Sequence, residues 1–341
     1  MTTLKKSHSF VSQPEATRLP RRNFLRLIGG SAAFDAMLRA EAADAYPARP
    51  VRILVGFPPG GATDIVARIV GQSLAERLGQ PFVIENRPGA SGNIAAEAVA
   101  KTAPDGYTLL LVASSLAINV SFYDKPSFDF VSDIAPISGL ISDPLVMVVN
   151  PSFPAKSVPE FIAYAKANPG KLNMASPGNG TSPHMAGELF RMMTGVNMVH
   201  VPYRGGSIAP MEVIAGRADV LFGTLPSTIE NIRAAKLRAL AVTTSRRWPA
   251  LPDVATIAEF VPGYEASDWN GMGAPKGTAT EIIQKLNREI AAVLANAAVQ
   301  ARFATVGAEP MPTSPEEFRK LIATEITKWA KVVKFAGLKG D

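Results

Sequence analysis

Apolar and polar residues along this chain follow two periods that alternate with each other. Residues 51–57 (VRILVGF) form a short apolar run with the length of a buried β-strand. From Thr63 the period becomes that of an amphipathic helix, with apolar residues at Ile65, Val66, Ile69, Val70 and Leu74. Further strand-like runs lie at residues 82–85, 108–113, 145–150, 173–176, 198–202, 220–224, 239–243 and 271–274. Strands that alternate with helices predict an α/β architecture.

Helices are predicted between most of these strands and near the end of the chain. The ranges between strands are 63–78, 93–101, 159–167, 183–194, 208–215 and 229–234. Capping sequences mark three helix starts, at residues 157–160 (SVPE), 278–281 (TATE) and 314–317 (SPEE). In the last of these helices Trp329 falls in the apolar series, so we expect it in the core. Residues 121–133 predict a surface connection.

The turn after the first strand, Phe57-Pro58-Pro59-Gly60-Gly61, joins a strand to a helix N-terminus. The prolines fix the backbone, and the glycines let a ligand approach the main chain closely. Free N–H groups at a helix N-terminus form a site for an anion. The turn lacks the lysine of a phosphate-binding loop and the spacing of a dinucleotide-binding turn. A tight turn without any ligand is the alternative interpretation.

The N-terminus predicts an export leader. Arg21-Arg22 precedes the modest apolar stretch 25–33, and small-residue cleavage sites follow at residues 40–45. The arginine pair favours the twin-arginine route, although Asp35 and Arg39 near the apolar stretch leave the general secretory route open. We expect residues 1–45 to be a cleaved signal and the mature protein to lie in the periplasm. A disordered basic tail is the alternative.

Composition narrows the class of function. The chain carries 35 basic and 29 acidic residues, and the predicted leader removes seven and four of them, leaving a net charge near +3. Because basic and acidic residues nearly balance in the mature chain, its composition gives no indication of nucleic-acid binding. The absence of cysteine excludes disulfides, thiol nucleophiles and cysteine metal sites. With few histidines and no His–acid motif, we expect no metal site and no cofactor.

The loops that follow successive strands share a composition of Gly, Ser, Thr and Asn. They are residues 57–63, 89–93, 114–115, 176–184, 203–207 and Thr224. In a parallel sheet such loops converge at the carboxyl ends of the strands, where ligands bind. Hydroxyl and N–H groups at helix N-termini suit a carboxylate without lysine or arginine. Ordinary turns and caps also use these residues, which is the competing explanation.

Ser182 and His184 also raise a catalytic hypothesis, with Asp219 or Asp268 as an orienting acid. Side chains two residues apart diverge at a helix start, and the chain has no G-x-S-x-G nucleophile elbow, so the hypothesis is disfavoured. His200 ends an apolar run and is expected to be a satisfied core histidine. Arg204 is expected to pair with a distal ligand carboxylate, or else to be a solvated arginine or one in a structural salt bridge.

Taken in order, several motifs resemble the tripartite tricarboxylate transporter substrate-binding proteins, the Bug family. The matching segments span essentially the whole mature chain and are Tyr46-Pro47, 50–52 (PVR), 57–64 (FPPGGATD), 85–93 (ENRPGASGN), 104–109 (PDGYTL), 178–184 (GNGTSPH), 201–206 (VPYRGG) and 251–256 (LPDVAT). Ala255 departs from the family pattern, which commonly has proline there. The residues near Trp269 also depart from it, and neither change touches the two main pocket loops.

The resemblance implies a type II-like, two-domain periplasmic binding protein with mixed sheets flanked by helices and a hinge between the domains. Domain 1 would comprise residues 46–146 and 268–341, and domain 2 residues 147–267. Hinge crossings would lie near residues 145–150 and 268–273, and the domains would close around the ligand by bending there. We expect a monomer that is not embedded in a membrane, binds no nucleic acid and has no catalytic activity.

The family also implies a ligand and a partner. The ligand would be a small mono-, di- or tricarboxylate, including some amino acids and aromatic acids, and the partner a two-subunit inner-membrane transporter. A ligand-sensing partner of a membrane sensor kinase and an enzyme acting on small carboxylic acids are the alternatives. The predicted ligand-binding residues are Phe57, Pro58, Gly60, Gly61, Thr63, Gly89, Ser91, Ser114, Ser115, Gly178, Asn179, Ser182, His184, Tyr203, Gly205, Gly206, Thr224 and Asp268.

Overall fold

The computed structural model describes residues 2–3, 46–123 and 127–340. The predicted leader features, Arg21-Arg22 and the cleavage site after Ala45, lie outside the described residues. Within the described ranges, no helix combines the length and the apolar character that crossing a membrane requires.

The strands and helices alternate through the chain as the periodicity predicts. The strands are β1 Val51–Val55, β2 Phe82–Asn86, β3 Thr108–Ala113, β4 Ile134–Val149, β5 Leu172–Ser176, β6 Met198–Pro202, β7 Val220–Thr224, β8 Arg238–Val242, β9 Ser267–Pro275 and β10 Glu309–Pro310. The helices are α1 Ala62–Leu78, α2 Asn93–Ala100, α3 Ser115–Phe122, α4 Phe130–Asp133, α5 Val158–Ala167, α6 Ser182–Thr194, α7 Ile208–Ile214, α8 Leu225–Arg233, α9 Thr280–Leu294, α10 Ala297–Thr305 and α11 Pro315–Ala336.

The sheet is mixed and has the strand order β2-β1-β3-β9-β4-β7-β5-β6, with β8 and β10 also paired to β4. The sets β2-β1-β3 and β7-β5-β6 are parallel, whereas β9 and β4 run antiparallel to their neighbours. Helices connect the parallel strands, as this geometry requires. The prediction of an α/β fold with mixed sheets flanked by helices is confirmed.

Strand β4 belongs to both halves of the sheet. Its first part pairs with β9 up to Pro144, and its second part pairs with β7 and β8 from Leu145 onward. The apolar pattern of the sequence predicts only the second part. Pro136, Ser138 and Gly139 interrupt the apolar pattern of the first part, where the pairing register shifts twice. The proposed domain boundary between residues 146 and 147 stays a prediction.

The hydrophobic core lies on both faces of the sheet. In the first half of the sheet α1 and α9 cover one face, and Trp269 packs edge-on against Phe318 of α11 on the other. In the second half Phe161, Phe190 and Phe222 form an aromatic cluster. The long helix α11 contributes to both halves, because its later residues join this second cluster.

Two predictions about the C-terminal helices have different outcomes. Trp329 is fully buried, as predicted, and its Nε1 donates a hydrogen bond to Glu325 Oε2 at 2.8 Å. The capping box predicted at residues 278–281 is wrong, because α9 begins at Thr280 after Ala279, which has no capping side chain. The Thr278 hydroxyl donates instead to the carbonyl of Pro275. Ser157 and Ser314 do cap their helices, and Ser314 does so in a reciprocal capping box with Glu317.

Candidate functional site

A cavity opens where the carboxyl ends of β1, β3, β5 and β7 meet the first residues of β9. A helix follows each of the four strands, so the starts of α1, α3, α6 and α8 converge on this cavity. The lining residues are Phe57, Gly61, Ala62, Thr63, Ala113, Ser114, Ser115, Pro177, Thr181, Ser182, Pro183, Gly206, Thr224 and Asp268. Among the described residues, this lining contains hydroxyl groups, main chain and one carboxyl group but no lysine, arginine or histidine.

The four helix starts at the cavity share one property. Their N-cap residues are Gly61, Ser114, Thr181 and Thr224, and in this described part of the chain none of their side chains accepts a hydrogen bond from a backbone amide of its helix. In α1 the first helical hydrogen bond runs from the Ile65 N–H to the Gly61 carbonyl. The preceding amides of the first turn therefore have no partner within the helix, and they favour an anion beside them.

The loop that precedes α1 is held from behind by Asp64. Its Oδ2 accepts hydrogen bonds from the Gly60 N–H at 3.0 Å and from Arg68 Nε at 2.9 Å. Asn86 Nδ2 donates both to Asp64 Oδ1 and to the Phe57 carbonyl, each at 3.0 Å. Burial raises the pKa of Asp64, but the hydrogen bonds from Arg68, Gly60 and Asn86 outweigh it and leave the pKa below its ordinary value. The loop is thus fixed by an ionised carboxylate that does not line the cavity.

The loop that precedes α6 is held by two stacked histidines. His184 and His200 lie with ring centroids 3.7 Å apart and an interplanar angle of 10°. His184 Nδ1 accepts from the Gly180 N–H at 3.2 Å, and His200 Nε2 lies 2.6 Å from Ser176 Oγ. Burial, with the nearby His200 and Arg191, lowers the pKa of His184 to about 3, and burial with Arg191 lowers that of His200 to about 4. Both rings are therefore neutral at physiological pH.

Asp268, the second residue of β9, joins the two sides of the cavity. Its Oδ1 accepts a hydrogen bond from the Ser114 hydroxyl, which follows β3, and one from the Ser182 hydroxyl of α6 at 2.9 Å. Burial raises the pKa of Asp268 above its ordinary value, while the hydrogen bonds from Ser114, Ser182 and the Trp269 amide act in the opposite direction. Among the described residues that line the cavity, Asp268 is the one with an ionisable side chain.

An outer groove adjoins the cavity at Phe57 and Pro177. It is lined by Gly56, Phe57, Pro58, Pro88, Gly89, Ala90, Ser91, Tyr123, Pro177, Gly178, Asn179, Tyr203, Arg204 and Gly205. Its two walls touch, since the Ser91 hydroxyl donates to the Asn179 carbonyl. A Cβ on Gly205, whose φ is +118°, would lie 3.0 Å from Pro58 Cγ, so this close approach requires glycine.

The structure brings together most of the residues that the sequence predicted for the site. The cavity takes Phe57, Gly61, Thr63, Ser114, Ser115, Ser182, Gly206, Thr224 and Asp268. The outer groove takes Pro58, Gly89, Ser91, Gly178, Asn179, Tyr203 and Gly205, and it shares Phe57. Gly60 and His184 line neither space, because Gly60 faces Asp64 and His184, 1% exposed, lies behind its loop. That these residues contact a ligand stays a prediction.

Five residues of the cavity wall were missed, namely Ala62, Ala113, Pro177, Thr181 and Pro183. The predicted list left out two alanines and two prolines between the selected residues, and it also left out Thr181. Each of the five is adjacent in sequence to a predicted residue, and this adjacency was the available signal.

The arrangement disfavours hydrolytic chemistry. The Ser182 hydroxyl donates to Asp268, and His184 accepts from the Gly180 amide, so this serine and this histidine are not paired with each other. Over the described ranges, no group of three or more His, Asp or Glu residues is placed to hold a metal ion. Uncapped amides, hydroxyls and one carboxylate around a cavity are instead the features of a small-molecule binding site.

Comparison with known proteins identifies the family. The chain belongs to the family described as tripartite tricarboxylate transporter family receptor, which matches residues 66–338. Protein BugT of Bordetella pertussis is 42% identical over 300 residues, covering 87% of this chain and 92% of that protein. The resemblance to the Bug family is therefore confirmed, and the chain is a solute-binding receptor and not an enzyme.

Solved structures agree with this assignment. The R. palustris protein Rpa4515 with adipate has a TM-score of 0.84 at 39% identity, covering 86% of this chain and 99% of that one. MatC (Rpa3494) from Rhodopseudomonas palustris with bound malate has a TM-score of 0.80 at 32% identity, covering 84% and 100%. Periplasmic binding protein BugD has a TM-score of 0.82 at 33% identity, covering 87% of this chain and 100% of that one, so the fold is the two-domain architecture of periplasmic binding proteins.

Proposed function

We propose that this receptor captures a small carboxylate in the cavity and delivers it, in the periplasm, to a two-subunit transporter of the tripartite tricarboxylate type. The observation that carries the proposal is the convergence of four helix N-termini without capping side chains on one cavity. Their free amides offer an anion several hydrogen bonds, and the helix dipoles add favourable electrostatics.

The ligand class is supported by the relatives. Structures of similar proteins hold adipate and malate, which are both dicarboxylates. In this chain the cavity would hold one carboxylate between the loops before α1 and α6. A second carboxylate would extend into the outer groove toward Arg204, which is exposed and forms no ion pair with any residue in the described ranges.

The cellular setting rests on the leader and on the family. The predicted leader would place the mature chain in the periplasm, where a receptor of this family can meet an inner-membrane transporter. The receptor would act there as a monomer. Closure around the ligand would present both halves to that transporter. Ligand contacts made from both sides of the cavity would drive the closure, because a ligand shifts such an equilibrium only by its differential affinity.

The proposal is tested by identifying a ligand and blocking the main-chain site. Native mass spectrometry of the purified protein should show a bound carboxylic acid, and titration calorimetry should give one site with a Kd of about 1 μM. Gly61→Val should abolish that binding. Gly61 has an extended backbone, and the added Cβ would meet only the Pro58 carbonyl at 3.7 Å, so the variant is expected to fold.

The matched control is Ala279→Val, which places the same side chain at the N-cap of α9, away from the cavity. It should retain wild-type affinity. Full affinity in a folded Gly61→Val protein would place the anion site elsewhere. Conversion of the bound acid into a product would overturn the receptor function itself.

A further inference from the structure

Two buried carboxyl groups lie side by side beneath the cavity. Asp143 of β4 and Asp268 of β9 are direct partners across the antiparallel pair. Opposed residues in such a pair project from the same face of the sheet with their Cβ atoms about 5 Å apart. Asp143 is 0% exposed and Asp268 is 6% exposed. The two carboxyl groups therefore share one poorly solvated region.

The partners of the two groups differ sharply. Asp268 accepts hydrogen bonds from Ser114, Ser182 and the Trp269 amide. Both oxygens of Asp143, in contrast, have no hydrogen-bond partner in the described structure. The neighbouring charges that raise the pKa values of the pair are acidic. The charge of Asp268 raises the pKa of Asp143, and the charge of Glu325 of α11 raises the pKa of Asp268. No lysine or arginine of the described residues forms an ion pair with either aspartate.

Two adjacent carboxylates in such surroundings do not both ionise. Burial raises the pKa of Asp143 well above its ordinary value, and the charge of Asp268 raises it further. The hydroxyl and amide donors stabilise the charged form of Asp268 instead. The proton thus resides on Asp143, and Asp268 presents a carboxylate to the cavity.

The cavity consequently offers hydrogen-bond donors on one part of its wall and an acceptor on another. Its helix starts offer donors to an anion, while Asp268 offers an acceptor that still has unused lone pairs. We propose that Asp268 is a specificity-determining residue that selects carboxylates bearing an additional hydrogen-bond donor, namely a hydroxyl or an ammonium group. This inference rests on the proposed carboxylate-binding function. A ligand without such a donor would leave the Asp268 carboxylate opposed by apolar or anionic atoms.

The test uses three series of acids in which only the group on carbon 2 changes. The series are propionate, lactate and alanine, then succinate, malate and aspartate, and then glutarate, 2-hydroxyglutarate and glutamate. In the series that the wild-type protein binds, the hydroxyl- or ammonium-bearing member should bind roughly 10- to 100-fold more tightly than the unsubstituted acid, as measured by calorimetry. Equal affinity, or a preference for the unsubstituted acid, would overturn the inference and leave the proposed function intact.

Two isosteric variants then locate the selecting group. Asp268→Asn should reduce the preference to within about threefold, through weaker binding of the donor-bearing acid and tighter binding of the unsubstituted one. Asp143→Asn should keep the wild-type preference, because it replaces a neutral group by a neutral group. A role of Asp268 in folding alone would lower all affinities together and keep their ratio, which would contradict the inference. A ratio lost in Asp143→Asn and kept in Asp268→Asn would do so as well.

The wild-type ratio requires no variant, so a misfolded Asp268→Asn protein would not prevent the test. Absence of binding by all of these acids, together with absence of any co-purified acid, would overturn the proposed function and the inference with it.

Discussion

The four helices that begin at the cavity differ from three helices at the periphery in how their first turns are capped. At the periphery, α5, α10 and α11 are each N-capped by a side chain that accepts a hydrogen bond from a first-turn amide. The capping residues are Ser157, Asn296 and Ser314, respectively. At the cavity α1, α3, α6 and α8 have no such cap. A capping side chain contributes about 1 kcal/mol to stability, so its absence at four starts is a cost to the fold.

The comparison indicates what the uncapped starts are for. An uncapped helix alone means little, since α2, α7 and α9 also lack a capping side chain, and α9 begins away from the cavity. The distinguishing observation is that four such starts converge on one space. There the amides left free by the fold are available to an anion, and the loops are held from behind by Asp64 and His184.

Low pH should have the largest effect on the cavity side of the molecule. It should destabilise the loop that His184 supports, because His184 can titrate, whereas the serine side chains that cap the peripheral helices cannot. The pKa of His184 in the folded protein is about 3, below the ordinary 6.5, so unfolding takes up a proton. The stability that it contributes is fully present above pH 6.5 and is lost as the pH falls toward 3. At about 1.4 kcal/mol per pH unit, the loss should reach roughly 3 kcal/mol by pH 4.

Urea denaturation between pH 7 and pH 4 measures this loss. His184→Gln, whose amide oxygen can still accept from Gly180, should be less stable than wild type at pH 7 and should show a shallower decline toward acid. Ser314→Ala serves as the control and should keep the wild-type pH dependence. Parallel profiles for wild type and His184→Gln would show that the buried imidazole is not linked to stability in this way.

A second prediction removes one free amide and leaves the helix intact. Ala62 is the first residue of α1 and follows an extended Gly61, a position where proline is tolerated. Ala62→Pro should lower ligand affinity roughly 10- to 100-fold, which is the contribution of a hydrogen bond to a charged group. Titration calorimetry of the co-purified acid, together with a melting curve, gives the measurement.

The matched control makes the same change at a capped helix. Ala297 is the first residue of α10, and the Asn296 side chain accepts from the amides of Ala298 and Val299 but not from Ala297. Ala297→Pro should leave both affinity and melting temperature near wild type. Equal effects of the two prolines would mean that the free amides of α1 do not bind the ligand.

The sequence predicted the elements with strong local patterns and missed those set by distant pairing. The predicted strands at 108–113, 198–202 and 220–224 coincide with β3, β6 and β7, because apolar residues predominate in each. The first part of β4 was missed, since its proline and glycine residues are accommodated by register shifts against β9. The neighbourhood of Asp143 and Asp268 follows from that register, which no local pattern encodes.

The candidate site shows the same division. Loop composition gave most of the cavity wall, because strand ends in a parallel sheet meet at one edge whatever the details of packing. It also predicted His184 as a ligand contact, which stays a prediction; in the structure the ring accepts a hydrogen bond from the Gly180 amide and stacks on His200. Neighbours in sequence did not reveal that orientation, since it depends on the stack with His200 from another strand.

The smallest expected effect concerns a peripheral helix. Ser314 caps α11 through a reciprocal box, in which its hydroxyl accepts from the Glu317 amide and Glu317 Oε2 accepts from the Ser314 amide. Ser314→Ala should cost about 1 kcal/mol of unfolding free energy, as measured by urea denaturation at pH 7. Ligand affinity should be unchanged, because α11 contributes no residue to the cavity wall. A loss of affinity in this variant would mean that the long helix, which packs on both halves of the sheet, transmits its own stability to the binding site. The peripheral caps would then contribute to ligand binding, and the two kinds of helix start would not have separate roles.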